Sequence, residues 1–256
     1  MRSTGQLLDA AVANNASWCA AVCGAHGHPS VRGRRLWAGP GHGVRFYPDA
    51  ITLSPEVSAA EVLAVAPPSG AFAVKDSYGT LDLAPAGFLL PIQASWIARP
   101  AAAGPASGPA SGPADRTSGG PDWHQVTSPG ELALWEATWA GDADADPPVF
   151  TRELLADPRC AVLACRRDGA NRDGATRHEG IVAGAICYAA DGVAGISNVF
   201  STVHPGALLF TSLPAAAARL WPGLPVVGYE DGTALDAARQ AGFDAIGDLR
   251  IWVRPT

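Results

Sequence analysis

The sequence predicts an α/β fold with a mixed sheet (α+β), arranged as two related modules in tandem, the N-terminal one shortened. Three observations carry this. The stretches "TLDLAPAGFLLPIQASWIAR" (80–99) and "TALDAARQAGFDAIGDLRIWVR" (233–254) are near echoes of one another. Each closes a segment in which helical and strand-like runs alternate. Between the segments lies "PAAAGPASGPASGPADRTSGGP" (100–121), where Gly, Pro, Ala and Ser replace all periodicity, as in a flexible, partly extended linker. The expected division is a reduced module over 1–99, a linker over 100–121 and a complete module over 122–256.

The first module opens with a helix around Trp18, because Leu8, Ala11, Asn15, Trp18, Cys19, Val22 and Cys23 fall on one helical face. "DAITLS" follows as a strand, "PEVSAAEVLAVA" as a helix, "AFAVKDS" as a strand, "TLDLAPAG" as a short helix and "FLLPIQASWIAR" as the closing strand. In the second module Leu132, Trp135 and Trp139 make a helical stripe after "TSPGE", with Thr127 or Ser128 as its cap. Three strands, "RCAVLACR", "GIVAGAICY" and "GVAGISNVFS", are separated by polar, Gly-rich turns that imply an antiparallel meander. Then "GALLFTSLPAAAARL" reads as a helix, "LPVVGYE" as a buried strand, "DGTALDAARQAG" as a helix ended by Gly242, and "FDAIGDLRIWVR" as a final strand or hairpin.

The echo extends to single residues. Gly87-Phe88 answers Gly242-Phe243, Trp96 answers Trp252, and Trp18 answers Trp135. From the first Trp to the Phe is 70 residues in one half and 108 in the other, so two middle strands are expected to be missing from the first. Chance similarity of two Ala-rich helices running into strands is the alternative; the shared order of elements favours duplication.

Bulk properties exclude some functions. The 256 residues, 48% apolar with eight Trp, suffice for a core. A formal charge of -6 argues against a non-specific nucleic-acid partner, which would need a basic face. No apolar run approaches the roughly 20 residues of a membrane span. The N-terminal "MRSTGQLLDAAVANNASW" interrupts its apolar content with Asp and Asn, unlike a signal peptide. Five cysteines without a tight framework suit a reducing compartment, so a cytoplasmic location is expected. "CAAVCGAHGH" places Cys19, Cys23, His26 and His28 close together, but the spacing departs from common zinc patterns. Buried thiols on a Gly-ended helix account for it, and no metal is expected.

Residues 123 to 254 resemble the GNAT superfamily of acetyl-CoA-dependent N-acetyltransferases. "GISNVFS" matches its fourth strand, "VVGYED" its fifth, and "ALDAARQAGFDAIGDLRIWVR" its helix, Gly-Phe turn and closing strands. The resemblance implies that these fourth and fifth strands splay apart to admit acetyl-CoA as co-substrate. It implies that backbone N–H groups on the fourth strand polarise the acyl carbonyl, while the following loop and helix N-terminus hold pyrophosphate. Carried onto this chain, the carbonyl-facing strand is Asn198, Val199 and Phe200, continuing into Ser201. The phosphate loop then lies between Thr202 and Leu208 and includes His204, Gly206 and Ala207. That loop, "STVHPGALLF", departs from the family pattern: it has one Gly and no Arg, and Pro205 removes a donor.

Many members of the family supply an acid from a Tyr in the helix before the Gly-Phe turn, where this chain has Ala238. Tyr229, Glu230 and Asp231 sit instead at the end of the fifth strand. Glu230 or Asp231 could take the proton of the attacking amine and Tyr229 could protonate the leaving thiolate. "ED" before "GT" is equally a helix cap. In the first half "VKDSYGTL" puts Lys75, Asp76 and Tyr78 at a strand end, again with a capping alternative in Asp76 or Ser77. A site shared between the halves would draw substrate contacts from Lys75, Tyr78, Tyr47 and Asp49.

The expected function is acetyl transfer to a small-molecule or peptide amine by direct attack in a ternary complex. A GNAT-like module that binds a ligand or protein without catalysis is the alternative. The loop leans towards the second and the intact second module towards the first. An unpaired edge in the shortened module would suit a homodimer.

Overall fold

A computed structural model describes residues 2–39, 43–101, 121–141, 147–167 and 179–256. In the first half these form helix α1 (Thr4–Ala25), strands β1 (Val31–Arg32), β2 (Leu36–Ala38) and β3 (Ala50–Thr52), helix α2 (Ala59–Val65), strand β4 (Phe72–Asp76), a 3-10 turn (Ala84–Ala86) and strand β5 (Leu89–Arg99). In the second half they form β6 (His124–Gln125), α3 (Pro129–Ala140), α4 (Arg152–Leu155), β7 (Cys160–Arg167), β8 (Glu179–Ala190), β9 (Val193–Ser201), α5 (Gly206–Leu220), β10 (Val226–Glu230), α6 (Gly232–Gln240) and β11 (Asp244–Arg254).

All the strands join one mixed sheet in the order β1-β2-β3-β4-β11-β5-β10-β9-β8-β7-β6. The halves are interleaved. β5, from the first half, lies between β10 and β11 of the second, and β11 lies between β4 and β5 of the first. Outward from the antiparallel β11–β5 pair the arrangement is the same in both directions: an antiparallel neighbour (β4 or β10), then a parallel one (β3 or β9). The closing strand of each half therefore completes the sheet of the other. The Gly/Pro/Ala/Ser stretch expected to link the halves lies, over 102–120, outside the described residues.

Alternation along the meander sends side chains to two cores. Ala161, Leu163, Cys165, Ala185 and Cys187 face α5 and α6, whereas Val162, Ala164, Ile186 and Tyr188 face α1 and α3 with Trp18 and Trp135. α1 starts with a capping box between Ser3 and Gln6 and lays Ala10 and Ala11 on Trp96, Val227 and Leu249 at the centre of the sheet. It is pinned by the buried Asn14, whose Nδ2 donates to the carbonyl oxygens of Tyr188 at 2.9 Å and Ala190 at 3.2 Å. Gly195 lies beneath that amide, where a Cβ would run into Asn14 Oδ1.

Several elements differ from the sequence expectation. The first half does have a strand pair ahead of β3, but β1 and β2 span two and three residues, too short to show a period. β6 and α4 are short in the same way. "TLDLAPAG" forms only a 3-10 turn, since Pro85 has no N–H to extend a helix. "FDAIGDLRIWVR" is one bulged strand rather than a hairpin, with a register shift between Ala245 and Gly247 against β5. Of the candidate caps for α3 it is Ser128 that accepts from Glu131 N–H. Among the described residues no helix is long and apolar enough to cross a membrane.

Candidate active site

β9 and β10 run parallel as neighbours only at Ala194–Val226 and Gly195–Val227. At the next step Gly228 keeps the strands close, a Cβ there lying 3.0 Å from Ile196 Cγ1 and 3.1 Å from its carbonyl oxygen. Beyond it they part. β9 leaves register with β8 between Gly184 and Ile186, and Asn198 adopts a left-handed φ of 53°, which Asn tolerates better than most residues. Gly184 makes the bulge fit: any Cβ would strike the Phe200 ring and the Trp135 indole.

The divergence opens a cavity of about 220 Å³. Ile196, Ser197, Asn198 and Val199 line one side, Tyr229 and Glu230 the other, and Asn15, Trp18 and Cys19 of α1 lie across it. The first half contributes Phe46, Tyr47, Pro48 and Lys75. Of the residues singled out in the sequence, Asn198, Val199, Tyr229, Glu230, Tyr47 and Lys75 thus surround one space.

Glu230 is pushed up to about 7, first by burial and then by the neighbouring charge of Asp231. Tyr47 is raised well above an ordinary phenol, chiefly by burial and then by Cys19 and Tyr229, while hydrogen bonds with the Trp18 and Asn198 side chains oppose the rise. Lys75 is 4% exposed, and its ammonium donates to Asn15 Oδ1 at 2.8 Å and to Tyr229 Oη at 3.2 Å. It also stands 4.4 Å from the centre of the Tyr229 ring. Burial disfavours the ammonium, but Tyr229 and Cys19 outweigh it, so Lys75 stays a cation. Cys19 is raised by burial more than Lys75 lowers it and is a thiol, not a thiolate.

Other singled-out residues lie elsewhere. Asp231 occupies the N-cap position of α6 without a side-chain cap bond and lines a separate concavity with Asp248 and Arg250. Phe200 turns from the cleft to Trp135, ring centres 5.1 Å apart. Asp49 is buried, its Oδ2 accepting from Ala73 N–H at 2.8 Å, and so ties the start of β3 to β4. Tyr78 donates to Asp9 Oδ1 at 2.9 Å. Asp76 accepts from Leu81 N–H at 2.9 Å, and Ala238 is fully buried in the core under α6. Cys19 and Cys23 are buried, and His26 Nε2 lies 2.9 Å from the Val149 carbonyl oxygen. Among the described residues no group of three or more His, Cys, Asp or Glu is placed to hold a metal ion.

The loop after β9 is braced from within. Ser201 Oγ accepts from the N–H groups of Val203 at 3.1 Å and His204 at 2.7 Å. Pro205 follows as N-cap of α5, which opens at Gly206 and Ala207 without a side-chain cap. Gly206 packs closely on α6, since a Cβ would lie 3.1 Å from Ala237 Cβ. Leu208 N–H donates to the Pro205 carbonyl oxygen at 3.0 Å, and with no side-chain cap the first turn of α5 keeps the positive end of its dipole uncompensated.

Asn15, Trp18 and Cys19 were visible in the sequence as a helical face but not as parts of a site. The signal that separates Asn15 from its neighbours is a polar residue in an otherwise apolar stripe.

No family model and no curated protein matches the sequence. Solved structures do. A GCN5-related N-acetyltransferase from Kribbella flavida is similar over 96% of this chain and 96% of its own, with a TM-score of 0.59 and 18% identity. A putative acetyltransferase of the GNAT family from Novosphingobium aromaticivorans is similar over 88% of this chain and 89% of its own, with a TM-score of 0.48 and 15% identity. A conserved protein of unknown function from Staphylococcus epidermidis is similar over 73% of each chain, with a TM-score of 0.48 and 11% identity. With its mixed sheet, its parting β9 and β10, and the near full-length likeness to the Kribbella flavida structure, the chain has the GNAT fold.

Proposed function

We propose that the protein is an acyl-CoA-dependent N-acyltransferase that moves an acetyl group to a small-molecule or peptide amine by direct attack in a ternary complex. The observation that carries this is Glu230, a carboxyl held near pH 7 at the point where β9 and β10 separate. A base is most effective when its pKa lies near the working pH, because it is then both free to accept a proton and strong enough to take it. An ordinary glutamate would be a weak base for an ammonium.

The residues fit acetyl-CoA in two places. The bulge at Asn198 and Val199 faces the cavity where a thioester carbonyl would lie, and the uncapped first turn of α5 suits a pyrophosphate. When bound, acetyl-CoA supplies the activated acyl group. Glu230 takes the proton that the amine loses on attack. The Tyr229 hydroxyl, which accepts from Lys75, is the group assigned to protonate the departing thiolate. A buried, protonated Cys19 supports direct transfer over an acyl-cysteine route. A cavity of about 220 Å³ is below the roughly 300–1,000 Å³ of pockets that enclose a drug-sized ligand, which suits a thioester end and a small amine group.

One observation favours a second reading, a non-catalytic ligand- or protein-binding module. Ser201 already takes the Val203 and His204 N–H groups and Pro205 has none, so three successive positions offer no donor to a phosphate. We further read the halves as tandem copies, the first reduced, a reading supported by the matching strand pairings on either side of β11 and β5.

The test is incubation with acetyl-CoA and a panel of amines, following release of the coenzyme thiol and acetylated product by mass spectrometry. Turnover that disappears in Glu230→Gln supports transfer. Acetyl-CoA binding without turnover on any amine supports the binding module.

A further inference from the structure

The least accounted-for group in the cleft is Lys75. A buried ammonium is costly unless a counter-charge and a full set of acceptors surround it. An ammonium has three donors. Two are used, on Asn15 Oδ1 at 2.8 Å and Tyr229 Oη at 3.2 Å, and neither partner is a carboxylate. The titratable groups around it are Cys19, Tyr47, Tyr229 and Glu230. Burial raises both Cys19 and Tyr47. Among the described residues Lys75 forms no ion pair with a carboxylate. Glu230 lines the same cavity, yet the charge acting on it is that of Asp231, and Lys75 does not draw it down.

The cavity thus has on its first-half wall a buried lysine with no carboxylate partner among the described residues, and on its β10 wall the Glu230 carboxyl. We propose that Lys75, with Asn15 beside it, binds the carboxylate of the acceptor, so that the substrate is an amine that also bears a carboxylate, an amino acid or a close relative. This deepens the acyl-transfer reading and rests on it for the role given to Glu230. A buried ammonium pairs with a singly charged carboxylate through one charge-assisted hydrogen bond, which its remaining donor can supply. The bound carboxylate would fill the third donor of Lys75, while the amine at the other end of the molecule reaches Glu230. Bulk amines lacking the anion would leave the cation unpaired, and such penalties discriminate strongly.

The experiment measures thermal stabilisation and ligand-observed NMR binding of the full chain. The probes are the common L-α-amino acids, β-alanine and γ-aminobutyrate, each set against the amine that lacks its carboxylate. At least one amino-carboxylate is expected to bind and stabilise, its decarboxylated partner to bind about 10- to 100-fold more weakly, and Lys75→Met to abolish the difference. Lys75→Met without ligand is expected to melt at the same temperature or higher, because an apolar chain of similar length removes a buried charge. Lys75→Gln, which keeps hydrogen-bonding capacity, serves if the Met variant does not fold. Equal binding of both members of every pair, or no binding by any amino-carboxylate, would overturn the proposal. So would a lowered melting temperature in both variants with carboxylate binding unchanged. Acetyl-CoA binding is measured separately: if it is absent while Lys75-dependent carboxylate binding persists, the acyl-transfer reading fails and the anion site stands.

Discussion

Tyr229 and Trp96 sit directly opposite one another across β10 and β5, their rings edge to face at 5.4 Å, although they belong to different halves of the chain. Trp96 is 1% exposed and its Nε1 donates to the Ser77 carbonyl oxygen at 2.8 Å. The β10 side of the cleft is therefore built on a strand from the first half. A protease site placed within 102–120 and then cut should leave both pieces in one folded particle with an unchanged melting temperature. Residues 122–256 expressed alone should lack a cooperative transition, because β10 and β11 lose the strand between them. A cooperative melt of that fragment by circular dichroism would show that the interleaving is dispensable.

If Glu230 is the base of the proposed transfer, it sets the pH response of turnover. With its carboxyl at about 7, kcat/KM should rise with pH through that value as the base deprotonates and then level off. Glu230→Gln should lower it by about 10²- to 10⁴-fold and remove the inflection. A pH profile in which native and variant proteins share the same inflection would assign the base elsewhere.

The same group should act on stability in the opposite sense. Its folded pKa of about 7 exceeds that of a free glutamate, so the native state binds more protons than the unfolded state between roughly pH 4.3 and 7. Stability contributed by Glu230 is therefore full below that window and falls as pH rises through it, by at most about 4 kcal/mol. Glu230→Gln should match the native protein at pH 4 and exceed it at pH 8 in urea unfolding. Equal gains at both pH values would point to packing rather than charge.

A negative charge in the first turn of α5 separates coenzyme binding from helix stability. Leu208 is exposed at the third position of that helix. Leu208→Glu should hold or raise the melting temperature through the helix dipole, yet weaken acetyl-CoA about tenfold by repelling its phosphates. Leu208→Gln should leave both nearly unchanged. Unaltered acetyl-CoA affinity in Leu208→Glu would place the pyrophosphate away from α5.

Much of the second half was legible because its strands and helices are long enough to show their periods. β7, β8 and β9 each span eight residues or more. β1, β2 and β6, at two or three residues, carry no such signal. The interleaving of β5 and β11 left no trace either, since alternation along a strand is the same whichever neighbours it has. Tyr47 and Lys75 could be suspected of a shared site from their strand-end motifs, whereas Asn15 was read only as part of a helix face and Cys19 as a buried thiol weighed against zinc binding. Asp231 follows the last residue of β10 and occupies the N-cap position of α6, so it leaves the cleft that Tyr229 and Glu230 line. The bulge at Asn198 depends on the absence of a side chain at Gly184 on the neighbouring strand, a relation between residues distant in sequence.

Calorimetric titration of the native protein with acetyl-CoA addresses the proposed activity most directly. Micromolar binding, weakened in Leu208→Glu and retained in Glu230→Gln, is the predicted result. No heat of binding at millimolar acetyl-CoA would contradict acetyl transfer in the β9–β10 cleft.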